Sequence, residues 1–249
     1  MRIYIYNTIN TTGHVSLSVY LGIDMKLSFD TVVGVLAPHL CLACGREGAT
    51  LCTDCLETAG EQIPPRCAGC RKLSPNWKTC RTCKAWLYAD SVYVATTYEG
   101  IYEQLVRSLK FETQRQSATP MAQLMAEIVP ASLQNYIVCA VPSAPKRIRE
   151  RGFDHARLLM RNFSCLTHSP FDTVLYRKTN VRQVGSTRSR RLEQMQAEFF
   201  VRHPDKVAGE SFLLIDDVMT TGASVSAAAH TLKQAGAKHV SVVVFAQKV

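Results

Sequence analysis

Hydrophobic residues in the last two-thirds of the chain follow two patterns that alternate along the sequence. Short continuous apolar runs predict buried strands at residues 91–97, 136–141, 212–215 and 240–246. Apolar residues spaced three or four apart predict helices at residues 101–111, 121–129, 153–163 and 224–234. This alternation predicts an α/β fold with a mostly parallel sheet and flanking helices.

The first 24 residues differ from the rest because polar residues such as Asn7, Asn10 and His14 interrupt every apolar stretch. No continuous hydrophobic region of a secretory signal forms there. A cleaner apolar-periodic stretch begins at Met25 and leads, as a predicted helix, into a cysteine-rich segment. We interpret residues 1–24 as a disordered extension or the product of a misplaced start codon. Residues 25–87 are then a helix with a double zinc module, and residues 88–249 an α/β domain.

The composition is that of a globular protein, with 47% hydrophobic and 20% charged residues among 249. The longest apolar runs, such as residues 240–246, are far shorter than the roughly 20 residues of a membrane-spanning helix. We therefore predict no membrane span and a cytoplasmic location. In a reducing cytoplasm, paired cysteines bind metal more often than they form disulfides.

Eight of the ten cysteines form four CxxC pairs, Cys41/Cys44, Cys52/Cys55, Cys67/Cys70 and Cys80/Cys83. Two residues between cysteines let both sulfurs face one ion, which is the spacing of a zinc knuckle. Four such pairs predict two closed, structural Zn²⁺ sites. The spacing leaves open whether neighbouring or interleaved pairs share an ion. Cys139 and Cys165 stand alone, and Cys139 lies in an apolar run that predicts a place in the core.

The formal net charge of +9 falls to about +5 when two Cys₄ zinc sites are counted. Basic residues cluster at 146–157 and 177–191, which suits phosphates of either a metabolite or a nucleic acid. The cysteine module is either a contact surface for nucleic acid or protein, or a structural appendage. Its aromatic residues Trp77, Trp86 and Tyr88 are candidates for base stacking or for ordinary packing.

The stretch FLLIDDVMTTGAS at residues 212–224 carries the most specific chemistry. A buried strand runs into Asp216 and Asp217, and a Thr-Thr-Gly turn then opens a helix. Ligands of parallel sheets bind beyond the carboxyl ends of strands, and free N–H groups at a helix start favour phosphate. Carboxylates beside a phosphate loop suit a phosphorylated sugar.

This stretch resembles the phosphoribosyl-pyrophosphate (PRPP) signature of type I phosphoribosyltransferases. With the CxxC pairs before it, the chain from about Met25 onward resembles the ComF family of competence-associated proteins, which join a zinc-ribbon module to a phosphoribosyltransferase-like domain. Residues 141–156 resemble that family's pyrophosphate-side stretch, with Asp154 where Asn is usual. Residues 183–199 resemble its flexible loop, with Gln194 where Asn is common.

The resemblance implies roles for particular residues. Asp216 and Asp217 are expected at the ribose hydroxyls, as the catalytic pair. Binding of the rest of PRPP is expected from Val218, Met219, Thr220, Thr221, Gly222, Ala223, Ser224, Ser143, Ala144, Pro145, Lys146, Arg188, Arg190 and Arg191. Mg²⁺ is expected to bridge the pyrophosphate.

Three functions remain open at this point. The resemblance favours a PRPP-binding protein of DNA uptake, with single-stranded DNA and other DNA-uptake proteins as candidate partners. The intact acidic pair leaves a salvage phosphoribosyltransferase open, although no dedicated base is evident and His155 is expected chiefly to pack. A non-catalytic PRPP sensor is the third alternative.

Overall fold

A computed structural model describes residues 39–58, 63–112, 114–178 and 198–248, together with the backbone of three strands between residues 3 and 27. The chain divides into two compact units, Met1–Cys55 and Leu56–Val249. The last four paired cysteines therefore belong to the larger unit. The sequence-based division instead groups all eight with one zinc module that ends at residue 87.

The smaller unit contains a three-stranded antiparallel sheet in the order β1-β2-β3. Its strands are β1 (Ile3–Ile9), β2 (Val15–Leu21) and β3 (Met25–Leu27). Strands β1 and β2 thus lie within the predicted extension, and β3 lies where the predicted helix begins. The remainder of that helix, residues 28–38, falls outside the described residues. Helix α1 (Thr53–Thr58) starts after Cys52.

The larger unit is built on a four-stranded, fully parallel sheet in the order β4-β9-β8-β5. Its strands are β4 (Ser91–Thr97), β5 (Ile137–Ala140), β8 (Ser211–Met219) and β9 (His239–Gln247). The predicted α/β fold is confirmed. The central strands β8 and β9 are almost entirely buried, as the Val- and Leu-rich runs require. A short antiparallel ribbon joins β6 (Leu175–Arg177) to β7 (Phe199–Val201).

In the described part of the larger unit, six helices accompany the sheet. They are α2 (Arg81–Leu87), α3 (Gly100–Phe111), α4 (Ala118–Ile128), α5 (Pro145–Arg151), α6 (His155–Thr167) and α7 (Ala223–Gln234). Four of them, α3, α4, α6 and α7, lie at the places that apolar periodicity predicts, whereas α2 and α5 were not predicted. Short 3₁₀ turns occur at Pro75–Trp77, Arg115–Ser117, Ala131–Leu133 and Pro204–Lys206. No helix among the described residues has the length and apolar character needed to cross a membrane.

The core lies between the sheet and its helices, where Phe163, Phe212 and Phe245 are fully buried. Burying one such side chain contributes about 2–3 kcal/mol. Cys139 is only 1% exposed, and burial raises the pKa of its thiol to about 11. The prediction that Cys139 is a core residue is confirmed, because a buried thiol with a raised pKa is a poor nucleophile.

Candidate functional site

A cleft opens at the carboxyl edge of the sheet because β8 is longer than its neighbour β5. The pairing of the two strands ends at Ala140↔Ile215, whereas β8 continues beside β9 as far as Met219↔Gln247. The last residues of β8, from Asp216 onward, therefore border a cleft of about 470 Å³. This is the place where open parallel sheets bind ligands.

Residues from seven separate segments line this cleft. Seven belong to the predicted site, namely Asp216, Asp217, Val218, Thr220, Ser224, Ser143 and Ala144. The other predicted residues of the two loops do not line it: Met219, Thr221, Gly222, Ala223, Pro145 and Lys146. Arg188, Arg190 and Arg191 lie outside the described residues.

Met219 and Gly222 support the loop that joins β8 to α7. Met219 is 2% exposed, so its side chain packs inward. Gly222 caps α7 in the left-handed region at φ 75°, and a Cβ there would lie 2.5 Å from Met219 Cε. The left-handed backbone conformation therefore favours glycine here, and an added Cβ would also displace the end of the Met219 side chain. The 12-residue helix α7 begins directly after this turn, beside Thr220 and Ser224.

Asp217 is held inside the protein by two cationic or hydrogen-bonding partners. Lys110 Nζ lies 2.8 Å from Oδ1 and 2.7 Å from Oδ2, and His155 Nε2 lies 2.9 Å from Oδ2. Burial opposes ionisation of this carboxyl, but His155 and Lys110 outweigh it and lower the pKa of Asp217. Asp217 is thus a fixed charge that positions Lys110 at the cleft wall.

His155 uses both ring nitrogens in contacts within the protein. Arg151 Nη1 lies 2.8 Å from Nδ1, and a guanidinium can only donate. Nδ1 must therefore accept, so Nε2 carries the proton that it donates to Asp217. The ring is 7% exposed, and the expectation of a packing role fits this geometry better than a role as general base.

Asp216 is the carboxylate that faces the cleft. Burial and the neighbouring charge of Asp217 raise the pKa of Asp216 to about 7. Its Oδ1 accepts the backbone N–H of Asp217 at 3.0 Å. The two adjacent acids therefore differ in chemistry, since one is ionised and clamped while the other titrates near neutral pH.

Asp154 joins the β5–α5 loop to helix α6. Its Oδ1 accepts from Ser143 Oγ at 3.0 Å and from the backbone N–H groups of Ala156 and Arg157 at 3.2 and 3.4 Å. All three contacts need an acceptor, which is the ordinary role of a helix N-cap. The carboxylate therefore serves here as well as the asparagine that is usual in the resembling family.

Eight lining residues lie outside the predicted site, and four of them carry positive charge, namely Lys110, Arg147, Arg177 and Lys248; the others are Tyr98, Val141, Pro142 and His155. The positive charges offset the two acids and suit a polyphosphate. Arg177 also donates to the Pro142 carbonyl at 3.5 Å and pairs with Glu198, so it braces the wall of the cleft. Arg147 and Arg177 had a sequence signal, because they lie in the basic clusters at 146–157 and 177–191, whereas Lys110, Lys248 and Tyr98 had none.

The eight paired cysteines form two groups of four sulfurs. Neighbouring CxxC pairs come together, so Cys41, Cys44, Cys52 and Cys55 form one group and Cys67, Cys70, Cys80 and Cys83 the other. The Sγ–Sγ distances are 3.7 Å between Cys44 and Cys52, and 3.8 Å between Cys70 and Cys80. A tetrahedral Zn²⁺ with bonds of about 2.3 Å requires about 3.8 Å between sulfurs. Both groups therefore fit zinc.

Backbone N–H groups also prepare each cluster for a cation. Burial opposes ionisation of Cys41 and of Cys67, but N–H groups of three neighbouring residues donate to each sulfur and lower the pKa of both thiols to about 6. Thiolates bind metal, whereas thiols do not. Each cluster thus has a preformed first ligand at neutral pH.

Known proteins resemble this chain along most of its length. The family model of the phosphoribosyl transferase domain matches residues 147–249. The DNA utilization protein YhgH of Escherichia coli is 28% identical over 211 residues, or 82% of this chain and 86% of that protein. The competence protein ComFC of Streptococcus pneumoniae is 26% identical over 216 residues, covering 84% and 93%. The chain thus contains a phosphoribosyl transferase domain and resembles competence and DNA utilization proteins of the ComF type.

Most lining residues of the cleft fall within residues 147–249, the part of the chain that matches the phosphoribosyl transferase domain. A structure of glutamine PRPP amidotransferase from B. subtilis overlaps 53% of the chain and 26% of that protein, with 16% identity and a TM-score of 0.39. That overlap is too small to bear on function.

Proposed function

We propose that this protein binds PRPP in the cleft at the end of β8 and serves DNA uptake or utilization. The observation that carries the proposal is the meeting, in one basic cleft, of Asp216 with the Thr220–Ser224 phosphate loop and the Ser143–Ala144 loop. The names of the relatives supply the biological process. A cytoplasmic location remains the prediction from sequence.

The proposed ligand matches the cleft group by group. The turn before α7 offers backbone N–H groups and two hydroxyls to the 5′-phosphate. Asp216 accepts hydrogen bonds from the ribose hydroxyls. The pyrophosphate lies toward Ser143 and Ala144, where Arg147, Arg177 and Lys110 supply positive charge. Mg²⁺ would supply further charge neutralisation on the pyrophosphate, and the cleft-facing carboxylate of Asp216 fits such a hard cation.

Turnover would require breaking the bond between C1 and the pyrophosphate oxygen while a nitrogen nucleophile forms the new bond to C1. The leaving pyrophosphate would keep the electron pair, and Lys110, Arg147 and Arg177 would stabilise its charge. Among the described lining residues, both nitrogens of His155 are engaged within the protein, whereas Asp216, with a pKa raised to about 7, could accept a proton from the nucleophile. Binding of PRPP is the function we propose, and transfer to a nucleophile is a separate question for experiment.

Two arginine–aromatic pairs, with Phe111 and Arg115 exposed and Arg151 and Phe153 half-buried, support the handling of single-stranded DNA. Phe111 is 72% exposed and lies 5.3 Å from the guanidinium of Arg151, while Arg115 lies 5.0 Å from the ring of Phe153. Aromatic faces that stack bases and cations that contact phosphates are the usual components of single-strand sites. Trp77 is buried, and Tyr88 stacks on His230, so these predicted stacking candidates serve packing.

The test of ligand binding is calorimetric titration of PRPP and Mg²⁺ at pH 6, 7 and 8. Because ionised Asp216 is the better acceptor, the Kd should fall about tenfold as pH rises from 6 to 8. Asp216→Asn should weaken binding and flatten this profile, whereas Asp205→Asn, an exposed acid, should leave it unchanged. Asp217 is a poorer choice, since its loss leaves Lys110 and His155 unpaired. No PRPP binding, or an unaltered profile in Asp216→Asn, would refute the site.

A pyrophosphate-release screen over nucleobases then separates binding from transfer. Release with any base would make this protein a salvage phosphoribosyltransferase. Binding without release would support the DNA-uptake role.

The DNA surface is tested by fluorescence anisotropy with labelled oligo-dT at several salt concentrations. Phe111→Ala should weaken binding about fivefold or more, because one stacked base contributes about 1–3 kcal/mol. Phe171→Ala is the matched control, since Phe171 is also exposed, at 52%. Equal effects of both substitutions, or no binding by the native protein, would contradict the assignment.

A further inference from the structure

The second cysteine cluster lies directly against the phosphate loop. Helix α2 begins after Cys80 and carries Cys83 in its first turn, and it packs on α7. Ser226 Oγ, in the first turn of α7, donates to the Trp86 carbonyl at 2.5 Å. The metal-binding helix and the helix that follows the phosphate loop are therefore joined through their ends.

Trp86 lies between one glycine of the cluster and one glycine of the loop. A Cβ on Gly69, inside the CxxC turn, would lie 2.9 Å from the Trp86 ring. A Cβ on Gly222, in the phosphate loop, would lie 3.6 Å from the same ring. The indole thus contacts both turns closely, and a displacement of one turn is transmitted to the other through a packed side chain.

Two further contacts join the cluster to the end of β9. Gln247 Nε2 donates to the carbonyl of Ala68, which lies between Cys67 and Cys70, at 2.9 Å. Arg71 Nη2 donates to the Lys248 carbonyl at 3.0 Å. The backbone N–H of Lys248 in turn donates to the Met219 carbonyl at 3.0 Å, and Lys248 lines the cleft. The cluster is therefore tied to both sides of the loop.

Arg71 makes its contact with Lys248 from a strained backbone conformation. Arg71 has φ 62°, in the left-handed region that favours glycine. The equivalent position of the first cluster is Gly45, at φ 73°. An arginine at such a position costs roughly one hydrogen bond in conformational strain. Its guanidinium contact with Lys248 offsets that cost.

We propose that the second cysteine cluster is the support of the phosphate loop, so that zinc bound by Cys67, Cys70, Cys80 and Cys83 and PRPP bound at Thr220–Ser224 strengthen each other's binding. Both sites are coupled through Trp86, Ser226 and the Arg71 contact. This inference rests on the proposed function, since it concerns the same loop. Linkage is reciprocal, so each ligand must raise the affinity of the other by the same factor.

The first experiment measures PRPP affinity in Arg71→Gly. Glycine suits the left-handed turn, so zinc content should stay at two per chain while the Kd for PRPP rises about threefold to tenfold. Lys72→Ala, which removes one exposed charge from the same turn, is the control and should change the Kd less than twofold. An unchanged Kd in Arg71→Gly, or an equal rise in both variants, would overturn the proposal.

The reciprocal experiment follows zinc release to a chelator from the full chain. Saturating PRPP should slow the release of one of the two zinc equivalents about fivefold or more. Protection of neither equivalent, or of both equally, would contradict coupling through the second cluster.

A third measurement does not depend on PRPP. Hydrogen exchange should quicken more at residues 220–226 than at residues 137–140 of β5 when chelation removes zinc. Unchanged exchange at residues 220–226, or equal loss at both segments, would overturn the support role. If PRPP did not bind the native protein, that result would refute the proposed function. The hydrogen-exchange measurement would still decide whether the second cluster supports the loop.

Discussion

The two cysteine clusters share one local hydrogen-bond design, and two of the positions at which they differ lie in or directly after the first CxxC. In both, the first cysteine sulfur accepts the N–H of the third cysteine at 3.4 Å, and the first cysteine's own N–H donates to a carbonyl five residues later, at 2.8 and 2.9 Å. The third residue of the first CxxC is Ala43 in one cluster and Gly69 in the other. The residue directly after this CxxC is Gly45 in the first cluster and Arg71 in the second.

These differences follow from what each cluster contacts. At Gly69 a Cβ would lie 2.7 Å from Cys83 Sγ and 2.9 Å from the Trp86 ring, so no side chain fits. Around Gly45 nothing lies within 4 Å of an added Cβ. The second cluster thus has a strained backbone at Arg71 and makes contacts with the phosphoribosyl transferase domain. A repeated metal module can therefore be adapted to a supporting role through two residues.

Loss of a zinc ligand should separate the two clusters most strongly. Cys80→Ser should reduce zinc from two to one per chain and destabilise the unit Leu56–Val249 by several kcal/mol, because zinc supplies the folding energy of such a module. Cys52→Ser should remove the other zinc and shift the unfolding of that unit by less than about 1 kcal/mol. Metal analysis and calorimetry check both variants. Equal shifts would show that the comparison is wrong.

Exchange of the small residue inside the CxxC turn should have an intermediate effect. Gly69→Ala forces a methyl group against Cys83 and Trp86 and should lower the free energy of unfolding by about 1–3 kcal/mol. The reverse change, Ala43→Gly, should lower it by about 1 kcal/mol or less. Urea unfolding measures both. A harmless Gly69→Ala would mean that Trp86 does not pack as described.

Exchange of the left-handed residue should have the smallest effect on stability. Gly45→Arg adds backbone strain without a partner in reach of its Cβ and should cost about 1 kcal/mol. Arg71→Gly relieves strain but loses the bond to Lys248, so the net change should stay within about 0.5 kcal/mol. Thermal unfolding of the two variants tests this order. A larger loss in Arg71→Gly than in Gly45→Arg would reverse our account.

The four strands of the main sheet and the helices α3, α4, α6 and α7 were predictable from sequence to within a few residues, because each carries its own apolar pattern, whereas α2, α5 and the short β6–β7 ribbon were not predicted. The β8 prediction stopped at Ile215, but the strand continues to Met219. Two acids followed by a turn predict that the strand ends before Asp216. In the structure, pairing with β9 extends through both acids. Sequence patterns weigh local polarity, whereas strand ends are decided by the neighbouring strand.

The sequence by itself determined the chemistry of this protein. Four CxxC pairs predict metal, and an acidic pair before a Thr-Thr-Gly turn predicts a phosphorylated ligand, because such spacings place their donor atoms locally. Only the tertiary structure decided which distant residues complete each site. Lys110 reaches Asp217 across 107 residues, Trp86 reaches Ser226 across 140, and Arg71 reaches Lys248 across 177. Such contacts depend on how the elements pack, which no local pattern in the chain encodes.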